Sequence, residues 1–112
     1  MRVLVTVSPK MYREAVAASI RHARPEVEVR VAAPEDAELE LAGFRPHLLI
    51  HNDADPIPEG ALAGVACRVE VLYSDSMDVR VRAGGTTSHV RDMSTEDLLR
   101  TVAVAATLEG RG

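Results

Sequence analysis

The chain has little cysteine: one thiol, Cys67, in 112 residues. A single thiol excludes an internal disulfide and suits a reducing compartment, so the cytoplasm is the expected location. Its apolar surroundings, VACRVEVL, suit a small buried side chain rather than a reactive one. No apolar run reaches transmembrane length, and the run in MRVLVTVSPK is too short for a signal peptide, so no membrane partner is expected. Low-complexity tracts are absent, and so is any basic cluster. The 13 Lys and Arg are scattered among 17 Asp and Glu for a net charge of −4, which disfavours nucleic-acid binding through phosphate neutralisation.

What is there is the composition of one globular domain spanning residues 1–112, with 46% hydrophobic residues and enough length to bury a real core. Val3, Leu4, Val5 and Val7 form a nearly continuous β-branched run, the pattern of a strand buried on both faces. Residues 10–23 then recur at helical spacing, with Met11, Ala15 and Ala18 on one line and Tyr12, Val16 and Ile20 beside it. VEVRV (27–31) alternates apolar and charged residues, as an edge strand does. AELELAGF (37–44) reads as a short helix with Ala37, Leu41 and Phe44 inward, ended by Gly43 and Pro46. LLI (48–50) is the next buried strand. Short β-α-β-α-β connections predict a parallel sheet covered by helices on both sides.

Beyond it, DPIPEGALAG (55–64) has room for a turn or two of helix at most, and RVEVLY (68–73) is a strand. The stretch 78–82, with its VRVR pattern, is a short strand or a helical turn; so few residues do not decide. Gly84-Gly85 breaks the chain before a strand TTSHV (86–90). STEDLLRTVAVAATLEG (94–110) is the clearest helix, with Ser94 as N-cap and Glu96 and Asp97 at its positive end. From Thr101 to Leu108 it carries no charge on any face. Either Val104 and Leu108 meet another surface, or alanine and threonine are simply tolerated in water.

Several stretches resemble the receiver domains of two-component response regulators, especially those joined to helix-turn-helix output domains. RVLVTVSPKMYREAV is similar to a receiver's first strand and helix. GFRPHLLI is similar to the approach to the phosphorylated strand, and Pro56 follows Asn52 as a proline usually follows the acceptor aspartate. AGGTTSHVRDMSTEDLLRTV is similar to the fifth strand and final helix. The resemblance implies a flavodoxin-like, doubly wound α/β fold with a five-stranded parallel sheet in the order 2-1-3-4-5. Residues 57–82 depart from it, as though the third and fourth helices were shortened.

The same resemblance places the acceptor at Asn52, whose amide is a poor nucleophile. It places the acidic metal ligands at Val7 and Ser8, the hydroxyl at Tyr73 with Ser74 beside it, and the lysine at Arg91. Mg²⁺ has little left to bind, so no cofactor is expected. The implied domain is a pseudoreceiver without phosphoryl chemistry, not an enzyme. A one-residue slip makes Asp53 the acceptor, but alternation along a strand turns it away from the pocket unless a bulge intervenes. His51, Asp53 and Asp55 share a period of two that suits Zn²⁺ or Mn²⁺; the preferred reading is that His51 packs and the aspartates satisfy loop amides. His22, His47 and His89 are read as structural or surface residues.

The leading expectation is a phosphorylation-independent signalling module that presents a surface to a protein partner, with homodimerisation through the final helix at Val104 and Leu108. With no output domain after residue 112, the effector is expected on another chain. The alternative is a sensor of small anions or nucleotides using Arg91 and Ser8, against which SPKMYRE lacks the glycine that lets backbone approach a pyrophosphate.

Overall fold

A computed structural model of the chain describes residues 1–53, 57–72, 78–91 and 93–111, with side chains of the last helix described as far as residue 107. The elements run β1 (Arg2–Val5), α1 (Lys10–Ala23), β2 (Glu28–Val31), α2 (Ala37–Phe44), β3 (Leu48–Asn52), α3 (Glu59–Leu62), β4 (Cys67–Val71), β5 (Val79–Ala83), β6 (Thr86–Val90) and α4 (Thr95–Arg111). A turn of 3-10 helix at Pro34–Asp36 leads into α2.

The strands form a single six-stranded sheet in the order β2-β1-β3-β4-β5-β6. Its first half is parallel: β1 pairs with β2 and β3, and β3 with β4. Its second half is an antiparallel meander from β4 through β5 to β6. The expected five-stranded, all-parallel, flavodoxin-like sheet is therefore wrong. The VRVR stretch, which receivers would cover with a fourth helix and its connections, is strand β5. TTSHV is a strand as expected, but it is the return arm of a hairpin. Gly84 and Gly85 make the turn with φ of 56° and 85°, the positive pair that a two-residue type I′ loop requires and that glycine adopts without strain.

Two layers of helix cover this sheet unequally. On one face α1 and α4 bury Val3, Val5, Ile50, Val69 and Val79 against Val16, Ile20, Leu98 and Val102. On the other, α2 and the single turn of α3 cover Leu4 and Leu49 with Leu41, Phe44 and Leu62. The antiparallel half carries Arg68, Glu70, Arg80 and Arg82 on that second face, flanked on one side by the single turn of α3. Antiparallel strands tolerate one wet face, which is why their charged positions alternate with Val69, Val79 and Val81.

Helix bounds agree closely with the periodicity, but the inner line of α1 does not. Tyr12, Val16 and Ile20 turn inward, whereas Met11 is 82% exposed and Ala15 and Ala18 face solvent. Burying the longer β-branched and aromatic side chains removes more apolar area, and the line with two alanines loses that competition. In α2, Ala37, Leu41 and Phe44 are buried as expected. The helix runs through Gly43 and ends at Arg45, a left-handed residue with φ of 51° whose N–H bonds the Leu41 carbonyl. In α4 the buried stripe is Leu98, Thr101, Val102 and Ala105, while Ala103, Val104 and Thr107 lie at the surface. The uncharged stretch is thus not buried all round within one chain.

Candidate functional site

At the carboxyl ends of β1 and β3 the receiver-like positions meet, and they are filled with protein. Val7 is fully buried in the core. Asn52, also buried, accepts the Ser8 amide N–H at 2.7 Å through Oδ1. Arg13, from the first turns of α1, donates from Nε to the Val7 carbonyl at 3.0 Å. A guanidinium therefore sits where the resemblance implies metal-binding carboxylates. The arrangement closes the β1–α1 loop onto β3 and supplies no carboxylate for Mg²⁺.

Of the remaining positions, Asp53 and Arg91 do not join this group. Tyr73, Ser74 and Asp55 lie outside the described residues. Arg91 is exposed just past the end of β6, and β6 stands three strands from β3, about 14 Å of sheet at the usual strand spacing. The inserted β5 adds one of those spacings, so the resemblance misplaces Arg91. Asp53 follows alternation: it is exposed, donates its N–H to the Val71 carbonyl at 3.1 Å, and lines a recess with His51 on the second face, away from Asn52. His51 is buried, with Nδ1 2.9 Å from the Asn52 carbonyl. Among the described residues, no three His, Cys, Asp or Glu side chains are gathered to hold a metal. Of the other histidines, His22 and His89 are exposed, and His47 accepts the Arg2 N–H at Nδ1.

Residues that carry the most chemistry lie on the open second face, and neither the motif nor the resemblance singles them out. Glu70, buried on β4, ion-pairs with Arg82 at 2.6 Å, Arg80 at 3.1 Å and Arg68 at 3.7 Å. The signal was present in the alternation of RVEV and VRVRA, which puts every charge on one face once the two strands are paired antiparallel. Cys67, one residue earlier, points into the core, and burial pushes its thiol up to about 11.

The two sheet edges differ. Along β2, Arg21 Nη2 donates to the Val29 carbonyl at 2.9 Å, and the exposed Arg30 pairs with Glu40 and lies over the Phe44 ring. That edge is guarded. Along β6, TTSHV holds neither lysine, proline nor carboxylate. Hydrogen bonds from Leu72 N–H to Asp78 and from Gly84 N–H to Ala66 set which β5 residues face β4. Val79, Val81 and Ala83 therefore face β6 and its Val90, Ser88 and Thr86. The N–H and C=O groups of Thr87 and His89 point outward, and no strand among the described residues pairs with them. Beside this edge, Val81, Val90, Thr101 and Val104 line a groove between β6 and α4, with Val104 45% exposed. Leu108, expected beside Val104, has a side chain outside the described residues.

Comparison with protein-family models, curated proteins and solved structures finds no match to this chain. Among the described residues, no helix is long and apolar enough to cross a membrane.

Proposed function

We propose that the chain is a protein-interaction module of the signalling type, a divergent relative of receivers that works without phosphoryl chemistry and assembles through the outer edge of β6. The observation that carries this reading is the contrast between the guarded edge at β2 and the bare one at β6. An edge with outward backbone groups, next to a groove that mixes Val81, Val90 and Val104 with Asp97 and Arg100, is an arrangement by which β-strands recruit another strand. The occupant proposed is a second copy. Thr87 and His89 lie symmetrically about Ser88, so two β6 strands related by a two-fold axis offer each other the same outward groups, as an isologous contact requires.

Support for the absence of phosphoryl chemistry is the Asn52–Ser8 hydrogen bond, with Arg13 beside it, where a working receiver needs a nucleophilic carboxylate and a metal. The order of β1, β2 and β3 with their helices is what remains of the receiver pattern. A buried Cys67 suits the cytoplasm.

Sedimentation equilibrium tests the assembly. The expected result is a monomer–dimer equilibrium at micromolar concentrations, abolished by Thr87→Pro. That substitution removes an outward N–H while leaving the β5 ladder its own donors. A wild-type chain that stays monomeric at high micromolar concentration overturns the self-pairing, as does a Thr87→Pro variant that folds and still dimerises.

A further inference from the structure

The second face of the antiparallel half holds more positive charge than its own ladder neutralises. Arg68 and Arg82 stand directly opposite one another across β4 and β5 on the same face, and like charges in that position repel. Glu70, opposite Arg80, is the carboxylate they share. It takes hydrogen bonds from Arg82 Nε and Arg80 Nη1. Arg68 remains 3.7 Å away, beyond hydrogen-bond reach, although its side chain is only 15% exposed. Among the described residues its guanidinium is in ion-pair contact with Glu70 but makes no hydrogen bond, so its donors face the recess.

These three side chains line a recess of about 320 Å³ whose walls include His51 and Leu62. We propose that this recess binds a small phosphate monoester between Arg68, Arg80 and Arg82. Around Glu70 three guanidiniums meet one carboxylate; with Asp53 and Glu59 also on the lining the formal charge of the recess is zero, so a phosphate is recognised here by the three guanidinium forks and not by net charge. The three terminal oxygens of the phosphate give each arginine an acceptor, where a second carboxylate would bring two. Asp53 and Glu59 stand exposed at the rim. Their charges lie within a Debye length of the recess, so they weaken the binding of any anion there and disfavour an extended polyanion such as nucleic acid most. The site is separate from the β6 edge and does not depend on the assembly proposed above.

The test is an NMR titration of the labelled protein with methyl phosphate at constant ionic strength, following backbone amides and arginine Nε–H signals. Saturable shifts centred on residues 68, 70, 80 and 82 are expected, with affinity about tenfold weaker in Arg82→Gln, the equivalent of one lost charge-assisted hydrogen bond. Arg82 is half-exposed, so this variant folds even if Arg68→Met does not. Shifts that never saturate, that spread evenly over all arginines, or that are unchanged in Arg82→Gln overturn the site. An equal response to succinate overturns its assignment to phosphate esters.

Discussion

Asn52 Oδ1 accepts the Ser8 amide N–H at 2.7 Å, joining the end of β3 to the loop after β1. Asn52 is buried and Ser8 partly so, which shields the bond from much of the solvent. Asn52→Ala leaves the Ser8 N–H without its acceptor and is expected to cost about 1–3 kcal/mol in urea denaturation. Asn52→Asp keeps an acceptor but restores no metal site, because Val7 is in the core and Arg13 occupies the loop. Adding Mg²⁺ and beryllofluoride to this variant is expected to produce no saturable amide shifts near residues 7–13 and 52–53. Saturable shifts there would show that the crevice still performs receiver chemistry.

Thr6 continues β1 toward its carboxyl end, and its Oγ1 is buried with no hydrogen-bond partner among the described residues. Replacing an unsatisfied hydroxyl with a methyl of the same shape removes a desolvation penalty. Thr6→Val is therefore expected to raise stability by about 1 kcal/mol. Thermal and urea midpoints should rise together; a fall in both would mean that the hydroxyl finds a partner in solution.

Burial pushes the Cys67 thiol up to about 11, whereas an unfolded thiol titrates at ~8.5. At pH 8 the native thiol is protonated and inaccessible, so alkylation is expected to follow unfolding and to become immediate in urea. The sign for stability follows: the folded form holds the proton more tightly, so this group's contribution is fully present below the unfolded value and declines as pH rises above it. Fast labelling of the native protein at pH 8 would contradict the burial.

Ser94 and Asp97 cap α4 reciprocally. The Ser94 N–H donates to Asp97 Oδ2, and the Asp97 N–H donates to Ser94 Oγ, each at 3.1 Å. Hydrogen bonding from the Ser94 backbone, then from its hydroxyl, lowers the Asp97 carboxyl, with Arg100 adding to it. A carboxylate lowered in the folded state stabilises above its unfolded value and loses that contribution as pH falls through the folded one. Ser94→Ala should cost about 1 kcal/mol and bring the Asp97 titration, followed by carboxyl NMR, back up toward the ordinary aspartate range.

The parallel half was legible because its signals are local and redundant. The apolar run Val3, Leu4 and Val5 of β1, the 3.6-residue spacing of Val16 and Ile20, and the Ser94 cap each name an element by themselves. The antiparallel half was misread because an alternating run as short as VRVR fits a strand or a helical turn, and resemblance to receivers favours the wrong topology. The decisive signal was nevertheless present: Gly84-Gly85 between two alternating runs is a hairpin turn, and it makes TTSHV the partner of VRVRA rather than a fifth parallel strand. Once that pairing is missed, so is the Glu70 cluster. Its members are scattered across fifteen positions and converge only when β4 and β5 run in opposite directions. Met11 shows a different limit, since periodicity finds two candidate lines on α1 but not which of them the sheet will accept.

The Gly84–Gly85 turn also divides the order in which the sheet can form. Closing a two-residue loop costs little chain entropy, so β5 and β6 can pair on the microsecond scale of hairpins before distant segments meet. Val3 must instead find Leu48 across two helices and a strand. The parallel half of the sheet is thus the slower to assemble, and the antiparallel half supplies a template against which β3 can dock.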